Sequence, residues 1–146
     1  MSQNTLTEDD EALVEEARRV VTENYVHSRH YVGSAVRTKS GDVYSAVHIE
    51  ANVGRASVCA EPIALGTAVS DGAHDIDVIA SVRHPGPDEG DEIPVVSPCG
   101  VCRELISDLD EDITVIYDHD GEVKKTRAVD LLPGKYVKSY RKTHLE

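Results

Sequence analysis

The sequence contains neither Phe nor Trp, and Tyr supplies all six aromatic residues among its 146 positions. Its core must therefore be built from Val, Ile, Leu and Ala, and stacking on a ring is left to Tyr and His. No apolar run approaches the roughly 20 residues that span a bilayer. Residues 1–11 are polar and acidic, whereas a secretory signal is basic and then apolar. We therefore expect a cytoplasmic protein without a membrane partner.

Basic residues are also scarce: the sequence has 15 Lys and Arg against 27 Asp and Glu, which gives a formal net charge of −12. A net negative field disfavours binding to a phosphate backbone, and a single-stranded polynucleotide needs a positively charged groove. This argues against an enzyme that edits DNA or RNA. The acidic excess also suits a high-salt habitat, which composition does not distinguish from ordinary solubility. The length predicts one domain over residues 1–146.

Only three cysteines occur, Cys59, Cys99 and Cys102. An odd number cannot pair completely within one chain, and the spacing is not that of a disulfide-rich scaffold. A metal site is therefore the preferred interpretation. For the Cys-x-x-Cys pair alone, a redox dithiol or two small buried residues are the alternatives.

The pattern of apolar residues predicts alternating helices and strands. Helices are expected over 7–23, where Thr7 is the N-cap, over 58–69 after a Ser57 cap, and over 99–109. Strands are expected over 31–37, 43–49, 75–82, 113–117 and 123–127, with turns at 40–42 and 118–121 and an irregular or short helical end from Leu131. This order predicts an α/β architecture, a mixed sheet covered by helices. The acidic, Pro-rich segment 84–94 is expected to be an exposed loop that acts as a lid, an oligomer contact or only a solvated insertion.

The cysteines lie at the starts of two predicted helices, in the segments Cys59-Ala60-Glu61 and Pro98-Cys99-Gly100-Val101-Cys102. A helix N-terminus lowers the pKa of a thiol, and zinc takes thiolate ligands in tetrahedral geometry. Three protein ligands leave a fourth position for water, which is typical of catalytic zinc. Together the two segments match the signature of zinc nucleobase deaminases, in which the glutamate is the general acid and base. A non-enzymatic zinc or redox protein is the competing hypothesis.

These segments make the sequence resemble the cytidine deaminase family over about residues 24–136. The family has a three-layer α/β/α fold with a five-stranded mixed sheet. The resemblance implies Zn²⁺ on Cys59, Cys99 and Cys102, with Glu61 as the catalytic proton shuttle. It implies hydrolysis of the exocyclic amine of a cytosine-type free nucleoside, which releases ammonia and leaves a uracil product. It also implies a homotetramer, in which Tyr136 approaches the base across a subunit boundary.

The sugar end of the site is assigned by the same resemblance to His48-Ile49-Glu50, which stands where the family has an Asn-Val-Glu ribose clamp. Glu50 is expected to bond the sugar hydroxyls. His48 replaces the clamp asparagine, and His27 and His30 stand where Tyr and Phe are usual. Three histidines on one pocket wall predict a more polar or anionic substrate, unless each is an ordinary surface or core residue. The full set of implied substrate contacts is His48, Glu50, His30, Ala60 and Tyr136.

A compensating charge is also expected beside the metal, because three thiolates outweigh the charge of one Zn²⁺. Many family members carry an arginine after Cys-Ala-Glu, but this sequence has Pro62 there. Arg103, which follows the last cysteine, is the remaining candidate. With Pro98 it is expected to support the ligands from behind.

Three segments, 64–68, 97–103 and 131–137, are closer to blasticidin-S deaminases, which deaminate a cytosine carried on a modified sugar. The strand that ends at Glu50 instead fits the spacing of cytidine deaminases. The predicted substrate is therefore cytidine or deoxycytidine, with a modified cytosine nucleoside such as blasticidin S, or another more polar aminopyrimidine, as the alternative.

Overall fold

The computed structural model describes residues 5–138. Within them three α-helices and five strands alternate along the chain, with two short 3₁₀ turns at Gly54–Ala56 and Ala128–Leu131. The helices are α1 (Glu8–Asn24), α2 (Ala60–Ser70) and α3 (Gly100–Leu109), and the strands are β1 (Val32–Thr38), β2 (Val43–Val47), β3 (Ile76–Arg83), β4 (Thr114–His119) and β5 (Glu122–Arg127). The expected order of helices and strands is confirmed, with boundaries that move by one or two residues.

The strands form one sheet in the order β2-β1-β3-β4-β5. β1 is antiparallel to β2 and β3, β3 is parallel to β4, and β4 is antiparallel to β5. β2, β3 and β4 therefore run in the same direction. α2 follows β2 and α3 follows β3, so both helices begin near the edge of the sheet where those strands end. Ligand sites in open α/β sheets form at this carboxyl edge.

Helices cover both faces of the sheet, which confirms the three-layer α/β/α fold with a mixed five-stranded sheet. The core is aliphatic, as the absence of Phe and Trp requires. On one face the core is formed by α1 and the sheet and contains Leu13, Val14, Ala17, Val21, Ala35, Val78, Ala80, Val82, Val95 and Ile116. On the other face it is formed with α2 and α3 and contains Val36, Ala46, Ala64, Leu65, Ala68, Ile76, Ile79, Cys102, Ile106, Ile113, Val115 and Ala128.

Gly33 in β1 sets the distance between α1 and the sheet. A Cβ at this position would lie 2.5 Å from the backbone oxygen of Ala17 and 2.9 Å from Cβ of Val21. The backbone oxygen cannot move without shifting the helix, so only glycine allows this close approach.

The cap of α2 differs from the prediction. Cys59, not Ser57, is the N-cap residue, and α2 starts at Ala60. Ser57 closes the preceding 3₁₀ turn through its backbone N–H to Gly54, and its hydroxyl accepts a hydrogen bond from the backbone N–H of Ala51. The Ser57 side chain is therefore bonded within the loop, and Cys59 takes the cap position. Within residues 5–138 no helix is long and apolar enough to cross a membrane.

Asp10, in the first turn of α1, connects this helix to two strands. Its carboxylate accepts hydrogen bonds from Arg37 Nη2 in β1 at 3.1 Å and from Lys125 Nζ in β5 at 2.8 Å. It also completes a capping box with Thr7. Burial by itself raises the pKa of this carboxyl, but the bonds from Lys125, the Thr7 backbone and Arg37 outweigh it and lower the pKa from 3.8 to about 2. The charged form is therefore favoured by folding.

We expect Asp10→Asn to lower the free energy of unfolding at pH 7 by about 2 kcal/mol, because nearly two pKa units of stabilisation are lost. A lowered folded-state pKa stabilises the protein above the unfolded value, and this stability disappears as the pH falls from about 4 toward 2. Urea unfolding at pH 7, 4 and 2.5 measures the effect. The exposed neighbour change Asp9→Asn is the matched control. A stability difference between Asp10→Asn and the parent that stays constant with pH would contradict the role of the charge.

Candidate active site

The three cysteines are brought together by α2 and α3. Cys59 and Cys99 are the N-cap residues of these helices, and Cys102 lies in the first turn of α3. The Sγ atoms of Cys59 and Cys99 are 3.8 Å apart, and those of Cys99 and Cys102 are 3.6 Å apart. All three thiols are free, and their sulfur atoms lie within 4.8 Å of one another.

This donor set fits a tetrahedral zinc ion. Zn–S bonds of about 2.3 Å at tetrahedral angles require sulfur atoms about 3.8 Å apart, which matches the two shorter separations. Cys102 is buried, Cys59 is half-buried and Cys99 is exposed, so the cluster is open on one side. Three thiolates with one open side are the ligand arrangement of a catalytic zinc site.

The thiols differ in their electrostatic surroundings. Burial raises the pKa of Cys102 far above its usual range, and the nearby Glu61 raises it further. Burial also raises the pKa of Cys59. At Cys99 burial is outweighed by hydrogen bonds from the backbone of Cys102 and Val101 and from the other two thiols, and the pKa is lowered. Buried thiols of this kind become thiolate ligands when a cation supplies the opposing charge.

Glu61 lies in the first turn of α2 and is 5% exposed. Burial raises the pKa of its carboxyl, against a smaller lowering from its own backbone N–H and from the hydroxyl of Ser81. Ala60, between Glu61 and Cys59, is fully buried. The Glu61 carboxyl is thus held in a buried wall close to the thiols.

A cavity of about 350 Å³ opens beside the thiols. We call it the inner cavity. Its lining includes Cys59, Cys99, Ala60 and Glu61 as well as His48 and Glu50. The remaining lining residues are Tyr31, Val32, Gly54, Ser57, Val58, Val96 and Ser97. The two groups that the sequence assigned to base and sugar therefore share one space.

His48 fixes the position of Glu50. Its Nδ1 accepts hydrogen bonds from the backbone N–H groups of Tyr31 and Val32, at 3.2 and 3.1 Å. Nδ1 is thereby the acceptor, so the ring proton is on Nε2, which donates to Glu50 Oε2 at 3.2 Å. Both ring nitrogens of this buried histidine are used within the protein, so the arrangement makes it a support for Glu50.

The three histidines do not lie on one wall. His27 lines a second cavity, described below, and His30 lines neither cavity. His30 instead donates from Nδ1 to the backbone oxygen of His48 at 2.9 Å. Tyr136 is 75% exposed and also lies outside the lining of both cavities.

Arg103 is half-buried behind the ligands. Its Nε donates to the backbone oxygen of Pro98 at 2.8 Å, and its Nη1 donates to that of Leu131 at 3.3 Å. Pro98 is itself buried and precedes the ligand Cys99. Arg103 thus ties the start of α3 to the 3₁₀ turn at Ala128–Leu131.

Sequence reasoning missed two contributors to the inner cavity. The Tyr31 hydroxyl donates to Glu50 Oε2 at 3.4 Å, and the Tyr31 ring meets the His48 ring edge to face at 4.3 Å between centroids. Ser57 Oγ lies 3.5 Å from Glu50 Oε1. Tyr31 carried one signal, its position as the first residue of a predicted strand, but its pairing with residues 48–50 depends on the strand register.

Comparison with known proteins identifies the family. Residues 7–117 match the family model described as the cytidine and deoxycytidylate deaminase zinc-binding region. The chain is 50% identical over 135 residues to a blasticidin-S deaminase from Bacillus cereus, covering 92% of this chain and 96% of that protein. It is 32% identical over 134 residues to a cytidine deaminase from Sporosarcina psychrophila, covering 89% and 93% respectively.

Solved structures agree with this result. A cytidine deaminase from Burkholderia pseudomallei superposes with a TM-score of 0.70 at 30% identity, over 90% of this chain and 100% of that one. The resemblance that the cysteine segments indicated is confirmed. The match over most of the chain, together with three thiols arranged for a zinc ion, shows that this protein belongs to the zinc-dependent cytidine deaminase family of hydrolytic enzymes.

Proposed function

We propose that this enzyme converts cytidine or deoxycytidine to the uracil nucleoside and ammonia. The observation that carries the proposal is the inner cavity, whose lining contains two of the three thiols, Cys59 and Cys99, together with Glu61 and Glu50. A free nucleoside has an amine on its base that is hydrolysed and a sugar that must be bound. The cavity offers the thiols and Glu61 for the first and Glu50 for the second. Its volume of about 350 Å³ is at the lower end of small-molecule sites.

Cys59, Cys99 and Cys102 would hold zinc, which would supply a Lewis acid that lowers the pKa of a water molecule. Glu61 would accept a proton from the attacking water and donate it to N3 of the ring while the water oxygen bonds to C4. It would then take the proton of the new C4 hydroxyl and pass it to the amino group, so that C4=O forms, the bond from C4 to the amino nitrogen breaks and ammonia leaves. Burial suits this role, because a carboxyl with a raised pKa holds a proton more readily near neutral pH.

At the other part of the cavity, Glu50 binds sugar hydroxyls. Its carboxylate is oriented by Nε2 of His48 and the hydroxyl of Tyr31, which leaves its remaining acceptor positions for the substrate. His48 is a positioning residue in this scheme. Arg103 and the N-termini of α2 and α3 offset the negative charge of the three thiolates.

Blasticidin S is the second candidate substrate. It is favoured by the 50% identity to a protein named blasticidin-S deaminase, which exceeds the 32% identity to a cytidine deaminase. Both candidates require the same hydrolysis of a cytosine amine. They differ in the groups attached to the sugar, and these groups would extend from the sugar past Glu50.

The charge and the thiols also bear on partners and location. A chain of net charge −12 does not attract a polynucleotide, so we propose a free nucleoside as the substrate. Three reduced thiols persist in a reducing compartment, which supports a cytoplasmic enzyme. The chain is proposed to act as one domain.

We further propose that four copies assemble. Val101, Leu105 and Leu109 form an apolar stripe on α3 at helical spacing and are 75%, 37% and 46% exposed. The stripe begins next to the zinc ligands, so a second copy that covers it would also cover the site. Tyr136 would then approach the base from the partner subunit.

The first prediction concerns Glu61. Zinc-loaded parent protein should release ammonia from cytidine, whereas Glu61→Gln should retain one zinc per chain and lose activity at least about a hundredfold, because the proton carrier is removed. Ammonia release at physiological and molar salt, with zinc content per chain, provides the measurement. The exposed change Glu23→Gln on α1 is the control. Full activity of Glu61→Gln would refute its role, and absence of release by the zinc-loaded parent would refute cytidine as substrate.

The second prediction concerns His48. His48→Ala should raise KM for cytidine about tenfold with a smaller change in kcat, because Glu50 and two backbone N–H groups lose a hydrogen-bond partner worth roughly 1–2 kcal/mol. His48→Asn should restore part of the loss, since an amide can also accept from the backbone and donate to a carboxylate. Steady-state kinetics with His74→Ala, an exposed histidine change, as control would decide. Equal KM values for His48→Ala and His74→Ala are incompatible with the proposed support.

The third prediction concerns assembly. Sedimentation equilibrium should give about four times the chain mass of 15.9 kDa. Leu105→Glu should dissociate the assembly because it buries a charge in the apolar stripe. Thr22→Glu, which adds the same charge to an exposed position of α1, should not. A parent protein that sediments as a monomer would exclude the tetramer.

A further inference from the structure

A second cavity of about 330 Å³ adjoins the inner cavity, and we call it the outer cavity. Tyr31 and Glu50 line both cavities, so they form the boundary between them. The rest of the outer lining consists of Tyr25, His27, Ser28, Arg83, His84, Gly86 and Glu89. None of these seven residues takes part in the reaction described above. Because Glu50 is proposed to hold sugar hydroxyls, the outer cavity lies where a substituent on the sugar would extend.

The outer cavity has defined walls. The Tyr25 and His84 rings stack with centroids 3.9 Å apart, and the guanidinium of Arg83 lies over the Tyr31 ring at 5.6 Å. Nδ1 of His84 donates to the backbone oxygen of Pro85 at 2.8 Å, which fixes that ring. Ser28 adopts the left-handed backbone conformation with φ of 65°, which is uncommon outside glycine and is found at ligand sites.

Arg83 is the only Lys or Arg in this lining, and its charge is already used. Glu89 from the loop 84–94 binds it through both oxygens, at 2.9 Å from Nη1 and 3.4 Å from Nη2. Gly86 lies against this pair, and a Cβ there would lie 2.7 Å from Glu89 Oε1. The backbone N–H of Glu89 also donates to the backbone oxygen of Gly86 at 3.1 Å. The turn at residues 86–89 thus places the Glu89 carboxylate against Arg83.

The charge balance follows from this pairing. The lining carries two carboxylates, Glu50 and Glu89, against one guanidinium, so it is negative when the imidazoles are neutral. Tyr25, which stacks on His84, and Tyr31, which lies under the guanidinium of Arg83, add aromatic rings to the lining. The face of an aromatic ring attracts cations. An anionic group such as a phosphate would meet the carboxylate of Glu50 and an Arg83 whose charge is already paired with Glu89.

We propose that the Arg83–Glu89 pair determines substrate specificity. It makes the outer cavity a subsite for neutral or cationic substituents on the sugar of a cytosine nucleoside and excludes phosphate. This inference rests on the proposed function, since it takes the cytosine to lie at the thiols and the sugar at Glu50. It also opposes the expectation of an anionic substrate that the three histidines raised, because only His27 of those three lines this cavity.

The test compares two nucleosides and one nucleotide that differ only at the 5′ position: cytidine, 5′-amino-5′-deoxycytidine and cytidine 5′-monophosphate. Their dissociation constants are measured calorimetrically at pH 8 and low salt with the zinc-loaded full chain carrying Glu61→Gln, so that no turnover occurs. At this pH free imidazole is neutral and an alkyl ammonium keeps most of its charge. We expect the aminonucleoside to bind at least as tightly as cytidine, and the monophosphate to bind several-fold more weakly.

Removal of Glu89 should change this order. In the Glu61→Gln background, adding Glu89→Gln frees Arg83 and should tighten binding of the monophosphate by roughly three- to fivefold, the usual worth of a partly exposed ion pair. It should weaken binding of the aminonucleoside. Glu23→Gln, which removes the same charge from the surface of α1, is the matched control and should shift all three compounds alike.

Equal binding of monophosphate and aminonucleoside, or equal effects of Glu89→Gln and Glu23→Gln, would overturn the inference. Failure of all three compounds to bind would overturn it as well. The proposed function is tested separately by ammonia release from cytidine with the parent enzyme. A parent that deaminates cytidine but binds the three compounds without regard to charge would retain the function and lose the subsite.

Discussion

The whole site depends on two helices that begin at the same edge of the sheet. β2, β3 and β4 run in one direction, so the chain must cross back after β2 and after β3, and α2 and α3 make these crossings. Each helix therefore starts at the carboxyl edge of the sheet, with a cysteine as its N-cap. This arrangement brings ligands that are 40 positions apart in sequence to a sulfur separation of 3.8 Å.

The same edge also determines how the sugar end is held. Glu50 follows β2, and its carboxylate accepts from the imidazole of His48, whose proton position is fixed by the backbone N–H groups of Tyr31 and Val32 at the start of β1. The orientation of Glu50 is therefore a consequence of the pairing between β1 and β2. A shift of that register would misplace the carboxylate without changing a single residue of the site.

Much of this could be predicted from the sequence because the signals were local. The alternation of apolar residues indicated the strands, and the segments around Cys59 and Cys99 indicated that three thiols cluster where two helices begin. What could not be predicted depends on three-dimensional neighbours. Strand pairing determines that both His48 nitrogens are used and that Tyr31 lines the inner cavity. The turn at residues 26–30 separates His27 from His48. Composition specifies neither. The prediction that Ser57 caps α2 was wrong, because its hydroxyl accepts a hydrogen bond from the backbone N–H of Ala51 in the neighbouring loop.

One arginine lies near the thiols and another lines the outer cavity, and each has different partners. Arg103 bonds to the backbone oxygen of Pro98, next to Cys99, and Arg83 pairs with Glu89. At the metal, three thiolates exceed the charge of Zn²⁺ by one, which opposes ionisation of water. With Pro62 in place of a cation, we propose that two helix N-termini and Arg103 offset this charge. The donors of Arg103 are directed to the backbone oxygens of Pro98 and Leu131, which connects the start of α3 to the turn that ends at Leu131. At the outer cavity Arg83 is paired with Glu89, so its guanidinium is not free to pair with Glu50.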